Sequence, residues 1–300
     1  RFDYGFIKAS FKRLGLDFRP KVLCTVKLSR LLFPHQPRHN LDTIVAAHGL
    51  TVSARHRALG DADLLLQFWR VCEKTFGELI SSGSVRRSDI ILFSKCGVCL
   101  SHAARPEIRV KHVNTSADHI YNSVENSLRN LKTDYLDALL LHRPSPLMNP
   151  YEVMEAVAKL GQEGKIKAFG VSNFTPSQVT LIASEAPIGI NQIEFSVTEY
   201  NALHNGALDQ MIVDNITPMA WSPLGTVFKS STAQTKRIHE CLDVLTTKYN
   251  VTKDQLLLAW ILKHPAQIHP VIGTTTKERV IAANNATTIE LELEDWFALL

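Results

Sequence analysis

A regular alternation of short apolar runs with amphipathic segments restricts the fold of this chain more than any other feature of its sequence. From Ser88 onward the runs have the length of buried β-strands, and they cover residues 90–94, 136–141, 168–172, 189–193, 218–221 and 270–272. The segments between and after them have helical periodicity, and they cover residues 117–132, 151–163, 176–183, 206–214, 236–249, 253–264 and 276–284. Strands that alternate with helices in this way predict a parallel sheet with crossover helices.

The number of strand–helix units predicts how the sheet closes. Six units follow Ser88, and two more fit in the residues before 86, where residues 41–48 and 72–82 have helical patterns and residues 22–26 and 50–53 are weaker strand candidates. Eight units form a (β/α)8 barrel, for which ~250 residues is typical. A doubly wound open sheet is the alternative, but no GxGxxG motif follows a first strand. We therefore expect an α/β fold of the TIM barrel type, as a single domain over residues 1–300.

The composition excludes several other classes of protein. Hydrophobic residues make up 45% and charged residues 21% of the chain, which excludes a disordered protein, a coiled coil and collagen. The longest uncharged apolar stretches, such as residues 255–262, are far shorter than a membrane span, so no membrane partner is expected. Of the five cysteines only Cys96 and Cys99 lie close in sequence. This usage favours reduced thiols in a cytoplasmic protein over a disulfide framework or a metal site.

The first 70 residues are basic, with 12 Lys and Arg side chains against five Asp and no Glu. Such an excess is typical of contact with nucleic acid or with a membrane surface. Here the basic residues are scattered, and no helical stripe or RNA-binding aromatic signature accompanies them. We therefore predict no nucleic-acid partner. Because the chain begins at Arg1 and stops inside a helical pattern at residues 294–300, we expect it to be a fragment.

Polar or aromatic side chains follow the predicted strands at the edge where the carboxyl ends of parallel strands meet. They are Lys95, His142, Ser172, Asn173, Gln192, Trp221, Ser222 and Thr274. Taken singly, each has an ordinary structural explanation, such as an ion pair for the lysine or a core position for the tryptophan. Six strands that end in this way, one of them in a lysine expected to be buried, together favour a functional site.

Six short motifs occur in the order typical of aldo-keto reductases. They are SKCG at residues 94–97, LLLHRP at 139–144, GVSNF at 170–174, NQIE at 191–194, AWSPLG at 220–225 and VIGTTTKER at 271–279. Over residues 72–300 the sequence therefore resembles the bacterial short-loop members of that superfamily. The resemblance implies NADPH-dependent reduction of an aldehyde or ketone group in a small molecule, by hydride transfer and without a metal.

The resemblance also assigns roles to the residues at the strand ends. Lys95 and His142 match the catalytic lysine and histidine of the family. The implied cofactor-binding residues are Ser172, Asn173 and Gln192 for the nicotinamide carboxamide, Trp221 for the face of its ring, Ser222, Leu224 and Gly225 for the pyrophosphate, and Thr274 beside them.

Two cations near the end of the chain complete the implied cofactor site. Thr275 and Glu278 have the spacing of a capping box, which predicts that a helix begins there with free N–H groups. Lys277 and Arg279 on its first turn suit the 2′-phosphate of NADPH, because a guanidinium binds phosphate in a fork geometry. A solvated helix end is the alternative explanation for both side chains.

The sequence departs from the family pattern upstream of Cys72. The family places an aspartate and, five residues later, a proton-donating tyrosine shortly before this point. Counting back from Cys72 puts Ala62 and Gln67 at those two positions, and a shift of one residue puts Asp63 and Phe68 there. Asp63 is therefore the candidate catalytic aspartate, and no register supplies the tyrosine.

The chain has no tyrosine at all between Tyr4 and Tyr121, and residues 1–71 match the family poorly. A disturbed reading frame over this stretch, which we favour, and a pseudoenzyme that keeps the cofactor pocket are the two explanations. The function predicted first is NADPH-dependent carbonyl reduction. A catalytically impaired NADPH-binding protein, such as a redox sensor or regulatory subunit, is the alternative, while a Schiff-base aldolase built on Lys95 would leave the SNF and SPLG motifs without a role.

Overall fold

The computed structural model describes residues 36, 41–50, 77–101, 106–185, 187–274 and 277–300. The chain divides into two compact units, one of residues 1–78 with 101–109 and one of residues 79–100 with 110–300. In the first unit, Leu41–His48 forms helix α1, as the sequence predicts. The predicted strand at residues 22–26, nearly all of that at 50–53 and the first part of the helix at 72–82 lie outside the described residues.

Residues 77–81, the described part of the helix predicted at 72–82, are helical, and the second unit contains the other α-helices and the strands that the structure describes. Its strands are β1 (Phe93–Cys96), β2 (Val98–Cys99), β3 (His112–Val113), β4 (Leu136–Leu141), β5 (Ile166–Ser172), β6 (Ile190–Glu194), β7 (Thr217–Trp221) and β8 (His269–Pro270). Its α-helices are α2 (Ala117–Leu131), α3 (Pro150–Gln162), α4 (Pro176–Ala183), α5 (Ala207–Val213), α6 (Ala233–Tyr249), α7 (Lys253–Leu262), α8 (Lys277–Asn285) and α9 (Leu293–Leu299).

Six of the strands form one parallel sheet in the order β1-β4-β5-β6-β7-β8. Each neighbour follows in chain order, and a helix lies between successive strands, which is the connectivity of a (β/α)8 barrel. The predicted fold class is therefore confirmed. β2 and β3 form a separate antiparallel pair, and within the described part of the chain β1 and β8 are the two edge strands of the parallel sheet.

The central strands are buried on both faces. Leu139 and Leu141 of β4 lie in the large apolar cluster that the outer helices share. Ala138 and Leu140 face the other way and form a small cluster with Ile190 of β6. Because both faces exclude water there, residues 138–141 of β4 are apolar in succession, and Asp137 near the start of the strand is its one charged residue.

Local hydrogen bonds begin the helices that follow the strands. At α2 the side chain of Ser116 accepts a hydrogen bond from the backbone N–H of His119. At α4 Thr175 and Gln178 form a reciprocal capping box, and Pro176 occupies the first turn, where its missing N–H costs no hydrogen bond. These signals explain why α4 begins at the predicted residue, and its end at Ala183 also agrees with the prediction.

A charged network joins the amino-terminal ends of the first strands in the sheet. Arg87 Nη2 lies 2.7 Å from Asp137 Oδ2, and both side chains are largely buried. The same carboxylate oxygen accepts a hydrogen bond from the backbone N–H of Leu92, and its other oxygen lies 3.2 Å from Lys167 Nζ. The Arg87 guanidinium also lies 3.8 Å from the centre of the Tyr135 ring. This network holds the segment before β1 against β4 and β5.

The two edge strands differ most from the sequence prediction. A strand was expected at residues 90–94, but β1 begins at Phe93, because pairing with β4 begins there and the side chain of Ile91 is 80% exposed. A strand was expected at residues 270–272, but β8 covers His269–Pro270 and Ile272 is exposed. Among the described helices, none combines the length and the apolarity that crossing a membrane requires.

Candidate active site

The predicted site residues of β1, β5, β6 and β7 lie at or near the carboxyl ends of these strands. Ser172 is the last residue of β5 and pairs in register with Gln192 of β6, while Trp221 is the last residue of β7. Lys95 lies inside its strand, whereas the predicted strand ended at residue 94, and Gln192 lies inside its strand, as the predicted bounds 189–193 imply. Parallel strands expose these ends on one side of the sheet, which is the side where TIM barrels place their active sites.

Lys95 contacts the neighbouring amide of Gln192. Its ammonium donates a hydrogen bond to Gln192 Oε1 across the sheet. Lys95 was expected to be buried, but its side chain is exposed on β1, an edge strand of the described sheet, and its ammonium is partly covered at the contact with Gln192. Partial burial of the ammonium, and secondarily the charge of Arg143, lower the pKa of Lys95 below its ordinary value.

His142 and Arg143 follow β4 directly. The backbone N–H of His142 donates a hydrogen bond of 2.9 Å to the carbonyl of Cys96, which fixes the end of β4 beside the end of β1. The pKa of His142 is lowered by partial burial and then by the positive charges of Lys95, Arg143 and Lys111. The imidazole is therefore neutral at pH 7 and carries one N–H donor.

A chain of hydrogen bonds connects the ends of β5, β6 and β7. Ser172 Oγ donates to the carbonyl of Gln192 at 2.9 Å and accepts from Asn173 Nδ2 at 2.8 Å. Asn173 Oδ1 in turn accepts from the indole N–H of Trp221 at 2.8 Å. Asn173 has a φ of 63°, a conformation that asparagine tolerates better than most residues. The network holds the half-buried Trp221 at this edge.

The turn after β7 is tightly packed. Ser222 has a φ of 56° and accepts a hydrogen bond of 2.7 Å from the backbone N–H of Gly225. Gly225 has a φ of 51°, and a Cβ on it would overlap the hydroxyls of Thr198 and Ser196. Only glycine fits this position. Backbone strain at a non-glycine residue beside such a turn is typical of functional sites.

The other predicted residues are placed as follows. Lys277 begins α8 and Arg279 lies in its first turn, and both side chains are exposed. Thr274 lies in the segment between β8 and α8 and is half-buried. Asp63 lies outside the described residues, as does Thr275 of the predicted capping box.

Sequence reasoning assigned no role to two cations that the structure places near His142. Arg143 was part of the LLLHRP motif, and its guanidinium carbon lies 5.6 Å from the centre of the Trp221 ring. The positive charge of Lys111 lowers the pKa of His142, although 31 sequence positions separate the two residues. The position of Arg143 directly after a strand-end histidine was the available signal, whereas nothing in the sequence marked Lys111.

Comparison with known proteins identifies the class that this fold and site define. The aldo/keto reductase family model matches residues 71–299. The uncharacterized oxidoreductase YcsN of Bacillus subtilis (strain 168) is 41% identical over 233 residues, covering 76% of this chain and 78% of the relative. A 6-dehydroglucose reductase of Agrobacterium fabrum is 38% identical over 217 residues, covering 71% and 72%. An aldo/keto reductase from Klebsiella pneumoniae, solved in complex with NADP and acetate, superposes with a TM-score of 0.63 at 25% identity over 77% of this chain and 75% of that one.

The chain belongs to the aldo/keto reductase family, as the motifs predicted. That family consists of oxidoreductases, and the Klebsiella pneumoniae neighbour was solved with NADP bound. The side chains present fit this cofactor in kind. Gln192 and Asn173 carry amides that suit a carboxamide, Trp221 offers an aromatic face, and the exposed cations Lys277 and Arg279 suit a phosphate.

A second family model, described as exonuclease, matches residues 1–68. Of that segment only residue 36 and residues 41–50 belong to the described structure. Membership of an exonuclease-like segment is a third explanation for the poor match of residues 1–71 to aldo-keto reductases, beside a disturbed reading frame and a pseudoenzyme. A single barrel over residues 1–300 stays a prediction.

Proposed function

We propose that residues 71–300 bind NADPH and reduce the aldehyde or ketone group of a small molecule. The observation that carries the proposal is the meeting of Lys95, His142, Gln192 and Trp221 at one edge of a parallel sheet. A cofactor-binding protein without turnover, such as a sensor, needs the amides and the aromatic face but has no use for Lys95 and His142. Their retention beside the cofactor residues favours an enzyme.

Each of these side chains would have a separate role in carbonyl reduction. When bound, NADPH supplies the hydride. The neutral imidazole of His142 can donate its N–H to the substrate carbonyl oxygen and so orient it. Asn173 and Gln192 would hold the carboxamide, Trp221 would pack against the ring, and Ser222, Leu224 and Gly225 would line the pyrophosphate path. Thr274 would contact the same cofactor.

Delivery of the proton is the step for which the chain is poorly equipped. The sequence provides no tyrosine between Tyr4 and Tyr121, and Lys95 is the cation at this edge that carries a dissociable proton with a lowered pKa. A positioned general acid is worth ~10²–10⁴-fold in rate. We therefore expect reduction to be slow by about that factor and to depend on Lys95.

Single-turnover oxidation of NADPH with 4-nitrobenzaldehyde tests this expectation. Gln67→Tyr and Phe68→Tyr, made separately, place a phenol at the two positions that the family pattern indicates. A rise of about tenfold or more in one of them is expected if only the acid is missing. NADPH binding without a gain in either variant would favour the impaired NADPH-binding protein, and absence of NADPH binding would overturn the proposed function.

The choice between cofactors tests the role of α8. We expect NADPH to bind at least tenfold more tightly than NADH, because Lys277 and Arg279 would each make a charge-assisted contact with the 2′-phosphate, worth ~1.5–3 kcal/mol. Quenching of Trp221 fluorescence measures both affinities. Lys277→Met and Arg279→Met should reduce the preference, while Arg129→Met, which removes an exposed arginine of α2, should leave it unchanged. Equal affinities of the parent chain would contradict the assignment.

Residues 1–68 have a second candidate function, favoured by the exonuclease match. A fluorescent single-stranded oligonucleotide incubated with the full chain and Mg²⁺ tests it. Shortening of the oligonucleotide would support nuclease activity in this segment and overturn the prediction of no nucleic-acid partner.

The cytoplasmic location stays a prediction.

A further inference from the structure

Positive charge accumulates around the carboxyl end of β4. The pKa of His142 is lowered by burial and then by the positive charges of Lys95, Arg143 and Lys111. The pKa of Lys95 is lowered mainly by burial and secondly by the charge of Arg143. Within the described part of the chain, none of these three cations forms an ion pair with a carboxylate; Lys95 contacts the Gln192 amide and Arg143 the Trp221 ring. Among the described residues, this edge of the sheet therefore carries positive charge that no ion pair neutralises.

Of these three cations, Arg143 is the best placed to bind a charged group of a ligand. Its guanidinium lies over the ring of Trp221, which Asn173 holds by the indole N–H. Contact with an aromatic face orients a guanidinium without using its N–H donors, so the fork remains available for an oxyanion. The side chain is exposed, and the backbone of the preceding residue, His142, is anchored to Cys96.

We propose that Arg143 selects carbonyl substrates that carry a carboxylate or phosphate group, with Lys111 adding to the attraction. The proposal rests on the proposed reductase function and names the substrate class of that site. An oxyanion beside the guanidinium would gain a bidentate hydrogen bond and offset the mutual repulsion of the cations. A neutral substrate would leave that repulsion in place and gain only apolar contacts with Trp221.

The test uses the full chain saturated with NADPH and three aldehydes of similar shape. They are 4-formylbenzoate, 4-formylphenyl phosphate and the neutral methyl 4-formylbenzoate. Single-turnover rates at low aldehyde concentration are compared, together with the affinities of the corresponding alcohols in the presence of NADP⁺. We expect at least one anionic compound to exceed the neutral ester about tenfold in both measurements. The larger of the two effects identifies the preferred anion.

Variants separate a role of Arg143 in selection from a structural role. Arg143→Met should bring the anionic and neutral aldehydes within about threefold of each other while NADPH affinity is kept, and Arg143→Lys should restore part of the preference because it restores the charge. Lys111→Met should reduce the preference less. Arg129→Met is the matched control, since α2 ends at the opposite edge of the sheet, next to the start of β4.

The outcomes distinguish this proposal from the proposed function. Equal rates and affinities for the anionic and neutral compounds, with NADPH bound and the ester reduced, would overturn the selection by Arg143 alone. A loss of NADPH affinity in Arg143→Met with the preference unchanged would assign the arginine to the cofactor and would also overturn it. Failure of the parent chain to bind NADPH would overturn the reductase function itself.

Discussion

At the scale of single residues, neighbouring positive charges lower the pKa of the His142 imidazole. Partial burial lowers its pKa, and Lys95, Arg143 and Lys111 lower it further. We predict that Lys95→Met raises the pKa of His142 toward its ordinary value and that Arg143→Met raises it by less, because each substitution removes a like charge. The imidazole signals in a pH series of NMR spectra measure the shift, and His142→Gln assigns the signal among the 12 histidines. An unchanged midpoint in Lys95→Met would contradict the geometry, whereas Arg129→Met should have no effect.

At the scale of the secondary-structure elements, Asp137 joins the amino-terminal ends of three neighbouring strands. Burial alone would raise its pKa, but hydrogen bonds from the Leu92 N–H, Arg87 and Lys167 outweigh burial and lower it. A carboxyl whose pKa is depressed by folding stabilises the fold above the pKa of the unfolded chain, and this stabilisation is lost as the pH falls through the folded value.

We predict that Asp137→Asn lowers the free energy of unfolding by about 1–2 kcal/mol at neutral pH, since Arg87 loses a charge-assisted partner. The difference from the parent chain should begin to shrink as the pH falls below about 4, the ordinary pKa of the carboxyl in the unfolded chain, and should shrink further as the pH falls through the lower pKa of the folded carboxyl. Urea denaturation at several pH values measures both effects. The exposed Asp134 offers a matched control, and an equal loss in Asp134→Asn would show that general charge, and not this network, is responsible.

At the scale of the whole molecule, the described sheet ends in edge strands, and exposed edges promote association between chains. Ile91, whose side chain is 80% exposed, lies just before the edge strand β1. We predict that Ile91→Lys slows concentration-dependent aggregation, measured by light scattering, and leaves the far-UV circular dichroism unchanged. Leu147, 91% exposed in the segment between β4 and α3, is the control. If Leu147→Lys protects equally well, surface hydrophobicity and not the sheet edge is the cause.

The order of the elements and several of their bounds follow from the sequence alone. Leu136–Leu141 and Pro176–Ala183 were predicted to the residue, because a run that is apolar except for Asp137 and a Thr-Pro capping signal are local properties. The family followed from six motifs in order, and the same motifs predict the cofactor and the site residues. The carboxyl ends of parallel strands lie on the same side of the sheet. For this reason the sequence could predict which residues lie at that edge.

Only the tertiary structure decided how those residues engage one another. The contact of Lys95 with Gln192 spans 97 positions, and Arg143 after β4 contacts the ring of Trp221 in β7, with two strands of the sheet between them. The start of β1 at Phe93 depended on its register with β4, since the apolar run begins earlier than the pairing does. Local sequence determines which segments form strands and helices, because propensity, apolar pattern and capping act between near neighbours. Charge, burial and pKa at the site depend on groups that only the folded sheet brings together.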